Sequence, residues 1–480
     1  MTGLDILVFI LYLALCVLIG VWVGGKPSDT QSYFSSKGNI PWWAVSFSIV
    51  ATETSMLTII STPSLAYLGS ITFLQIAAGY IIGRIVVAFT ILPAYFKGEQ
   101  ETAYTFLEHR FGQNYRKLVS IIFLITRLLA DGVRLFAAAI PIKLITGLSY
   151  PESILIIAVL TLAYTFYGGL KSVIWIDVLQ LSVYISAGVF ILFWLYPDIS
   201  PTMVQTIIDR GKLDFLNIPD SLHAVWTSPY NLVASLLGGA FLAMASHGTD
   251  HMMVQRLLAC GDVVQARKAL ICSGVIVFMQ FTLFLMVGLF LFAHYGGKPL
   301  VELGLSKPDE LFPRFIIEGL PSGLTGFIIA GLFAAAMSTL SSSLSALSSS
   351  TMFDLFPKLA RRADSLKFSR IFMVMWTLVF IGFGMSFSST ENPIIEIGLS
   401  IAGFTYGGLL GAFIIGRYTR LDTSSATVGL FACVIIMFII IMFGGNYKPW
   451  WAWYTILGVI IFGFFSLSFQ AIRRPLAKLL

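Results

Sequence analysis

From end to end the chain is punctuated by apolar runs long enough to cross a lipid bilayer. They lie near 4–24, 42–65, 71–95, 118–148, 151–168, 172–195, 229–256, 267–294, 323–350, 370–388, 395–416, 425–444 and 450–470. A hydrocarbon core about 30 Å thick needs roughly 20 apolar residues in an α-helix, and every backbone polar group in lipid must be satisfied internally. The runs therefore predict an all-α polytopic membrane protein with about 13 transmembrane helices. Only 11% of the 480 residues are charged, against about 25% in soluble domains. A soluble multidomain reading is excluded.

Charge fixes the expected topology. Twenty of the 30 lysines and arginines fall in alternate loops, among them Lys97, Arg110, Arg116, Lys117, Lys358, Arg361, Arg473 and Arg474; six fall in the other set. Cytoplasmic loops carry the basic excess, so the N-terminus is expected outside and the C-terminus in the cytoplasm, in a plasma or inner membrane. The first run has no basic leader and carries Asp5 before its apolar stretch, which predicts a retained span and not a cleaved signal. The longest loops, 196–228 and 295–322, are expected outside as caps, with no soluble domain appended. Cys16, Cys260, Cys272 and Cys433 show no CxxC or metal-ligand spacing and read as packing residues. The net charge of +6 is a matter of topology and does not point to nucleic acid.

Two spans are interrupted by polar residues. One carries Thr52, Glu53, Thr54 and Ser55; the other carries Ser246, His247, Gly248, Thr249 and Asp250. A carboxylate at the bilayer centre costs at least ~2.5 kcal/mol and marks function by default. Non-helical backbone at that depth is tolerated where it lines a cavity, and matched interruptions in two halves point to a transporter binding site. The interrupted spans are the second and the seventh, each opening a set of five. That spacing predicts a five-plus-five inverted repeat (first repeat 40–195, second repeat 229–418), preceded by an extra helix at 1–25 and followed by two at 424–470.

Further polar clusters complete the pattern. Ser338, Ser341, Ser342, Ser345 and Ser349 recur at helical spacing in the ninth span and share one face. They read either as a small-residue packing surface or as a row of neutral oxygens for a monovalent cation. Gly168 and Gly169 form a tight turn, and Asp177 follows two turns into the next span. His247 and His251 stand four apart around Asp250, but Gly248 and the lack of a third ligand argue against a transition-metal site. An intramembrane enzyme is disfavoured because no HExxH, GxSxG or paired catalytic carboxylates occur. A channel suits the broken helices poorly, and a sensor would be expected to carry an output domain.

On these residues the chain resembles the sodium/solute symporter family, whose members couple sodium to sugars, proline, iodide, vitamins or sialic acid. The resemblance rests on the break at 51–55, on YTFLEHRFG at 104–112 and on YGGLKSVIWIDVLQ at 167–180. GTDHMMVQR at 248–256 and AAAMSTLSSSLSALSSS at 334–350 complete it. It implies a LeuT-like fold, alternating access and co-transport of one or two sodium ions without an organic cofactor. By position it implies a main sodium site from the carbonyls of Ala51 and Thr54 with the hydroxyls of Ser338 and Thr339, Ala335 standing where relatives offer a further oxygen or a small residue. It implies a second site from Asp177, Ser338, Ser341 and Ser342.

The solute cavity implied by the same resemblance comprises Glu53, Ser55, Thr58, Phe73, Gln75, Arg134, Ser246 and His247. Here the chain departs from the family. Ser246 and His247 stand where sugar carriers place an aromatic gate and a tryptophan, and Ala130 stands where sialic acid carriers place an arginine, with Arg127 and Arg134 one turn to either side. Glu53 replaces a neutral polar residue. It is expected to bind a cationic or hydroxyl-rich solute, to pair with Arg134 or Arg84, or to sense ion occupancy. The function expected is sodium-coupled symport of a small polar solute by a monomer in the bilayer, with a carboxylate such as sialic acid, or a sugar or polyol, as alternatives.

Overall fold

The computed structural model describes residues 2–25, 27–36, 40–97, 101–386, 394–445 and 448–476. Each of the thirteen apolar runs is helical over the described residues. The first is α1 (Gly3–Gly24), and the second is a pair, α2 (Trp42–Glu53) and α3 (Met56–Leu68), bent by 70°. Then follow α4 (Leu74–Thr90), the short α5 (Leu92–Tyr95) and α6 (Thr105–Phe111), α7 (Gln113–Thr146) and α8 (Tyr150–Leu195). The seventh run is again a pair, α9 (Leu232–Gly248) and α10 (His251–Leu257). The rest are α11 (Val263–His294), α12 (Leu324–Ser350), α13 (Ser365–Met385), α14 (Ile394–Tyr418), α15 (Thr423–Phe443) and α16 (Tyr454–Leu476).

The fifth and sixth runs share the continuous helical stretch of α8. Gly169 breaks it with φ +58, ψ −151, a conformation that L side chains rarely adopt. A Cβ at this position would also press on Tyr33. The diglycine therefore turns the chain where two spans were expected to meet.

Burial sorts the helices into core and rim. In α12, 89% of the most apolar stretch is buried, against 17% in α1 and 33% in α15 and α16. The central position of α12 follows from its serines and alanines, because small side chains let neighbouring backbones approach in a medium that gives no hydrophobic drive between helices. The same logic joins α4 to α9. A Cβ on Gly79 would lie 2.7 Å from the carbonyls of Ser235 and Leu236, and one on Gly239 would lie 2.7 Å from that of Ile76. Both broken pairs face α12 from the core, which brings their polar residues together.

Candidate sodium and solute sites

Helix α2 ends because Thr54 and Ser55 turn extended (φ/ψ −80/104 and −88/164), and Ser55 caps α3 by accepting from Thr58 N at 3.4 Å. The last main-chain bond of α2 runs from Thr54 N to Val50 O at 3.0 Å. Just beyond it, Ser338 Oγ donates to the carbonyl of Ala51 at 2.9 Å, and Thr339 Oγ1 to that of Thr52 at 3.4 Å. The structure thus brings Ala51, Ser338 and Thr339 together. The second carbonyl facing the hydroxyl pair is that of Thr52. The hydroxyl of Thr54 turns instead to Val50 O (2.8 Å) and Gln280 Oε1 (2.9 Å).

Asp177 lies fully buried beside this cluster. Its Oδ2 accepts from Ser48 Oγ at 2.5 Å and Thr52 Oγ1 at 3.4 Å, and pairs with Arg256 Nη2 at 3.2 Å. Arg256 also donates to Ser342, which is bonded in turn to Thr52 Oγ1 at 2.9 Å. Asp177 Oδ1 is buried with no hydrogen-bond partner. An unpaired buried carboxylate oxygen is costly, and it lies on the α8 wall that faces α12. Ser341 and Ser342 spend their protons on the carbonyl of Ser338, at 3.0 and 2.6 Å. Ser342 already accepts from Arg256 and meets Thr52 Oγ1, which leaves Ser341 the freer of the two for a cation.

The serine row of α12 does not continue as a single ion path. Past Ser342 its hydroxyls meet protein: Ser343 donates to Asp131, Ser345 to Gln255 (3.4 Å) and Ser350 to Asp354 (2.7 Å), and Ser349 bonds His251 Nε2 (3.1 Å). His251 also accepts from Ala103 N at 3.3 Å, so it and His247 serve different neighbours. Among the described residues no group of three His, Cys, Asp or Glu side chains could hold a metal ion.

Below the break of the seventh run lies a buried ionic lattice. Asp250 caps α10, its Oδ1 accepting from Met252 N at 2.9 Å. Its Oδ2 receives two nitrogens of Arg127 and the hydroxyl of Tyr406 (2.7 Å). Arg127 reaches Asp131 Oδ2 at 3.4 Å, and Arg134 Nη1 reaches Asp131 Oδ1 at 2.9 Å. Closer to the basic loops, Asp354 takes Arg116 (2.7 Å) and Thr102 (2.6 Å). These contacts pin α7, α10, α12 and α14 together.

The partner of Glu53 is Arg84. The guanidinium is completely buried and also donates to Ser273 Oγ at 2.6 Å, whereas the Glu53 side chain keeps 23% of its surface exposed. His247 Nε2 stands 3.8 Å from Glu53 Oε2 and has no hydrogen-bond partner; Ser246 Oγ lies 2.8 Å from His247 Nδ1. Arg134 retains 22% exposure, Thr58 and Ser246 are half-buried, and Ser55 is buried. Phe73 packs against Phe281 and Tyr230 at ring centroids of 4.7 and 5.6 Å. Gln75 does not belong here. It is fully buried, donates to Tyr230 O (2.9 Å) and Thr72 O (3.2 Å), and accepts from Asn217 N (3.4 Å). Its amide ties α4 to the capping loop, where every polar atom is used.

A broken α2/α3 facing a hydroxyl-rich α12, with a second broken run beside it, is matched across known proteins. The model of the sodium:solute symporter family covers residues 33–430. The chain belongs to the sodium:solute symporter family. The symporter is 28% identical over 456 residues to a putative sodium-dependent multivitamin transporter of Drosophila melanogaster, covering 90% of this chain and 74% of that one. It is 27% identical over 438 residues to the sodium/sialic acid symporter of Aliivibrio fischeri, covering 90% and 86%. Among solved structures, a substrate-bound, outward-open Na⁺-coupled sialic acid symporter superposes with a TM-score of 0.85 at 23% identity, covering 97% of each chain. The fold is LeuT-like, as expected, and the function is sodium-coupled solute symport.

Several residues around the candidate sites have no role signalled in the motifs above. Arg256, Ser48 and the hydroxyl of Thr52 reach Asp177, while Asp131 and Tyr406 complete the ionic lattice. Asp131 sits among arginines at i−4 and i+3 on α7, so intrahelical charge spacing was the signal that would have found it.

Proposed function

We propose that the symporter carries a small polar organic solute bearing both an anionic group and hydrogen-bond donors, by alternating access and with two sodium ions. The observation that carries the solute class is the pair of opposite charges left partly exposed in an otherwise dry bundle, Arg134 and Glu53. Arg134 spends one nitrogen on Asp131, so its other donors can meet a carboxylate. Glu53 Oε2 is held by Arg84, so Oε1 can accept from a hydroxyl, amine or amide of the solute. Both charges are already countered within the protein, and the solute need bring no net charge of one sign.

For sodium, the reading assigns one ion to the carbonyls of Ala51 and Thr52 or Thr54 with Ser338 and Thr339. It assigns a second to Asp177 Oδ1 with Ser341 and Ser342. Sodium is a hard cation that takes several oxygens, and unwound carbonyls of a broken helix supply them. The bare Oδ1 of Asp177 supports the second ion. The Arg127–Asp250–Tyr406 lattice is buried, while Glu53, Thr58 and Arg134 keep part of their surface exposed. The reading places the symporter as a monomer in a plasma or inner membrane, N-terminus outside, its repeats spanning 40–195 and 229–418.

Purified protein in liposomes with an imposed sodium gradient tests the reading. Zwitterionic and hydroxy-carboxylate solutes should accumulate inside against their gradient only when sodium is higher outside. Accumulation of neutral sugars alone, or of any solute without a sodium gradient, would overturn it.

A further inference from the structure

An apolar pocket of about 200 Å³ opens where α4, α5, α6, α9 and α14 meet at the basic end of the bundle. Its walls include Val86, Thr90, Tyr95, Phe106, Met244 and Phe413, and its rim carries Arg417 and Tyr418. Phe106 stacks on Phe413 at 5.4 Å with an interplanar angle of 15°, and Tyr95 lies 6.1 Å from Phe413. The solute and sodium residues lie elsewhere, and none of them lines this pocket.

Three observations identify the occupant. First, α4 turns its neighbouring face to lipid, since Ile82, Ile85 and Phe89 are 46%, 41% and 61% exposed. Val86 and Thr90 continue that surface into the pocket, so the medium at its mouth is acyl chain. Second, the rim residue Arg417 is exposed and makes no ion pair among the described residues, its contact being the ring of Tyr418 at 5.7 Å. Third, an aromatic-lined slot with a guanidinium at its interfacial edge matches a lipid with an apolar tail and an anionic head. Basic pockets between helices at the cytoplasmic side are a known form of such recognition.

We propose that this pocket binds an anionic phospholipid, with an acyl chain lying against Tyr95 and Phe413 and the headgroup phosphate at Arg417. Occupancy bears on transport through two contacts. Tyr95 OH donates to the carbonyl of Gly248 at 2.6 Å, the last residue of α9 before its break. On the other wall, Phe413 belongs to α14, whose Tyr406 bonds Asp250 on the far side of the break. A chain packed along the wall that Tyr95 and Phe413 share therefore braces both supports of the seventh run. The lipid stabilises the state in which the ionic lattice is closed.

Native mass spectrometry and thermal melting test this without any transported solute. Protein reconstituted with phosphatidylcholine is titrated with phosphatidylglycerol. The wild type should retain phosphatidylglycerol in preference to phosphatidylcholine and melt higher as it is added. Arg417→Gln should weaken that preference about fivefold, the worth of one basic residue at an anionic surface, and Arg417→Lys should keep most of it. Ala94→Phe, which fills the pocket from its wall, should abolish retention of both lipids while leaving the melting temperature in phosphatidylcholine unchanged. Equal retention of the two lipids by the wild type, or unchanged preference in Arg417→Gln, would overturn the proposal. So would a phosphatidylglycerol response that survives Ala94→Phe.

Discussion

Asp177 divides its carboxylate between two tasks: Oδ2 is clamped by Arg256 at 3.2 Å, and Oδ1 is buried and bare. The carboxylate is thus already countered within the protein: Arg256 pairs with it and Ser48 donates to the same oxygen, which leaves Oδ1 without a partner among the described residues.

This division predicts the behaviour of two variants. Asp177→Asn leaves Arg256 fully buried without a counterion, a loss of about 3–5 kcal/mol when one partner of a buried pair is removed. Poor folding is the expected outcome. Asp177→Asn combined with Arg256→Gln removes both charges and should recover most of the stability, measured by melting in detergent. The recovered protein should show a sodium activation slope falling from about two toward about one, since the slope cannot exceed the number of coupled sites. A double variant with wild-type sodium steepness would leave Asp177 and Arg256 as a structural pair only.

The main sodium site is tested at α12. Ser338→Ala removes the hydroxyl that meets Ala51 O, and Thr339→Ala the one that meets Thr52 O. One oxygen ligand lost, at ~1 kcal/mol for a net hydrogen-bond-strength interaction, shifts half-saturating sodium upward about fivefold for each. Melting temperature without sodium should stay within a few degrees. Unshifted sodium curves in both variants would place the ion elsewhere.

A pH effect is expected at the opposite end. Lys212 is buried in the capping loop, where its ammonium donates to the carbonyls of Tyr67 (2.6 Å) and Gly69 (3.2 Å) and lies 4.2 Å from the ring centre of Phe292. Burial, with a smaller push from Arg210, lowers its pKa from 10.5 to about 8. The unfolded chain keeps this proton up to its higher pKa, so between those two values it binds more protons than the folded chain. Stability contributed here therefore rises with pH across that window and is lost as pH falls through about 8. The difference in melting temperature between the wild type and Lys212→Met should change with pH across the same window. A constant difference would show that Lys212 titrates normally.

The parts of the molecule legible in the sequence were those set by the bilayer. Span length, the two polar breaks and the diglycine before Asp177 each follow from a local rule about backbone in lipid, and α2/α3, α9/α10 and Gly169 obey it. Partner choice was less legible. Glu53 had two candidate arginines, and sequence spacing does not decide between Arg84 on α4 and Arg134 on α7. The decision is made by α7 itself, where Asp131 sits one turn from Arg134 and claims it at 2.9 Å. Gln75 was misplaced for a similar reason: an amide near a cavity mouth is indistinguishable in sequence from one that ties a loop to a helix.

Glu53 carries the last prediction. Its carboxylate is the partner of Arg84, which is completely buried, yet nearly a quarter of the Glu53 side chain remains exposed. Glu53→Gln alone should destabilise the fold by about 3–5 kcal/mol, because among the described residues the guanidinium pairs with no other carboxylate. Arg134→Gln should not rescue it, since that arginine answers to Asp131. Arg84→Gln should, by removing the orphaned charge. The rescued pair Glu53→Gln/Arg84→Gln then separates structure from recognition, since folding is restored while the exposed carboxylate is gone. Solute affinity in that double variant should fall about tenfold or more, the loss of a charge-assisted hydrogen bond of ~1.5–3 kcal/mol, while sodium-dependent stabilisation without solute persists. Wild-type solute affinity in the rescued protein would reduce Glu53 to a structural counterion and remove it from the cavity wall.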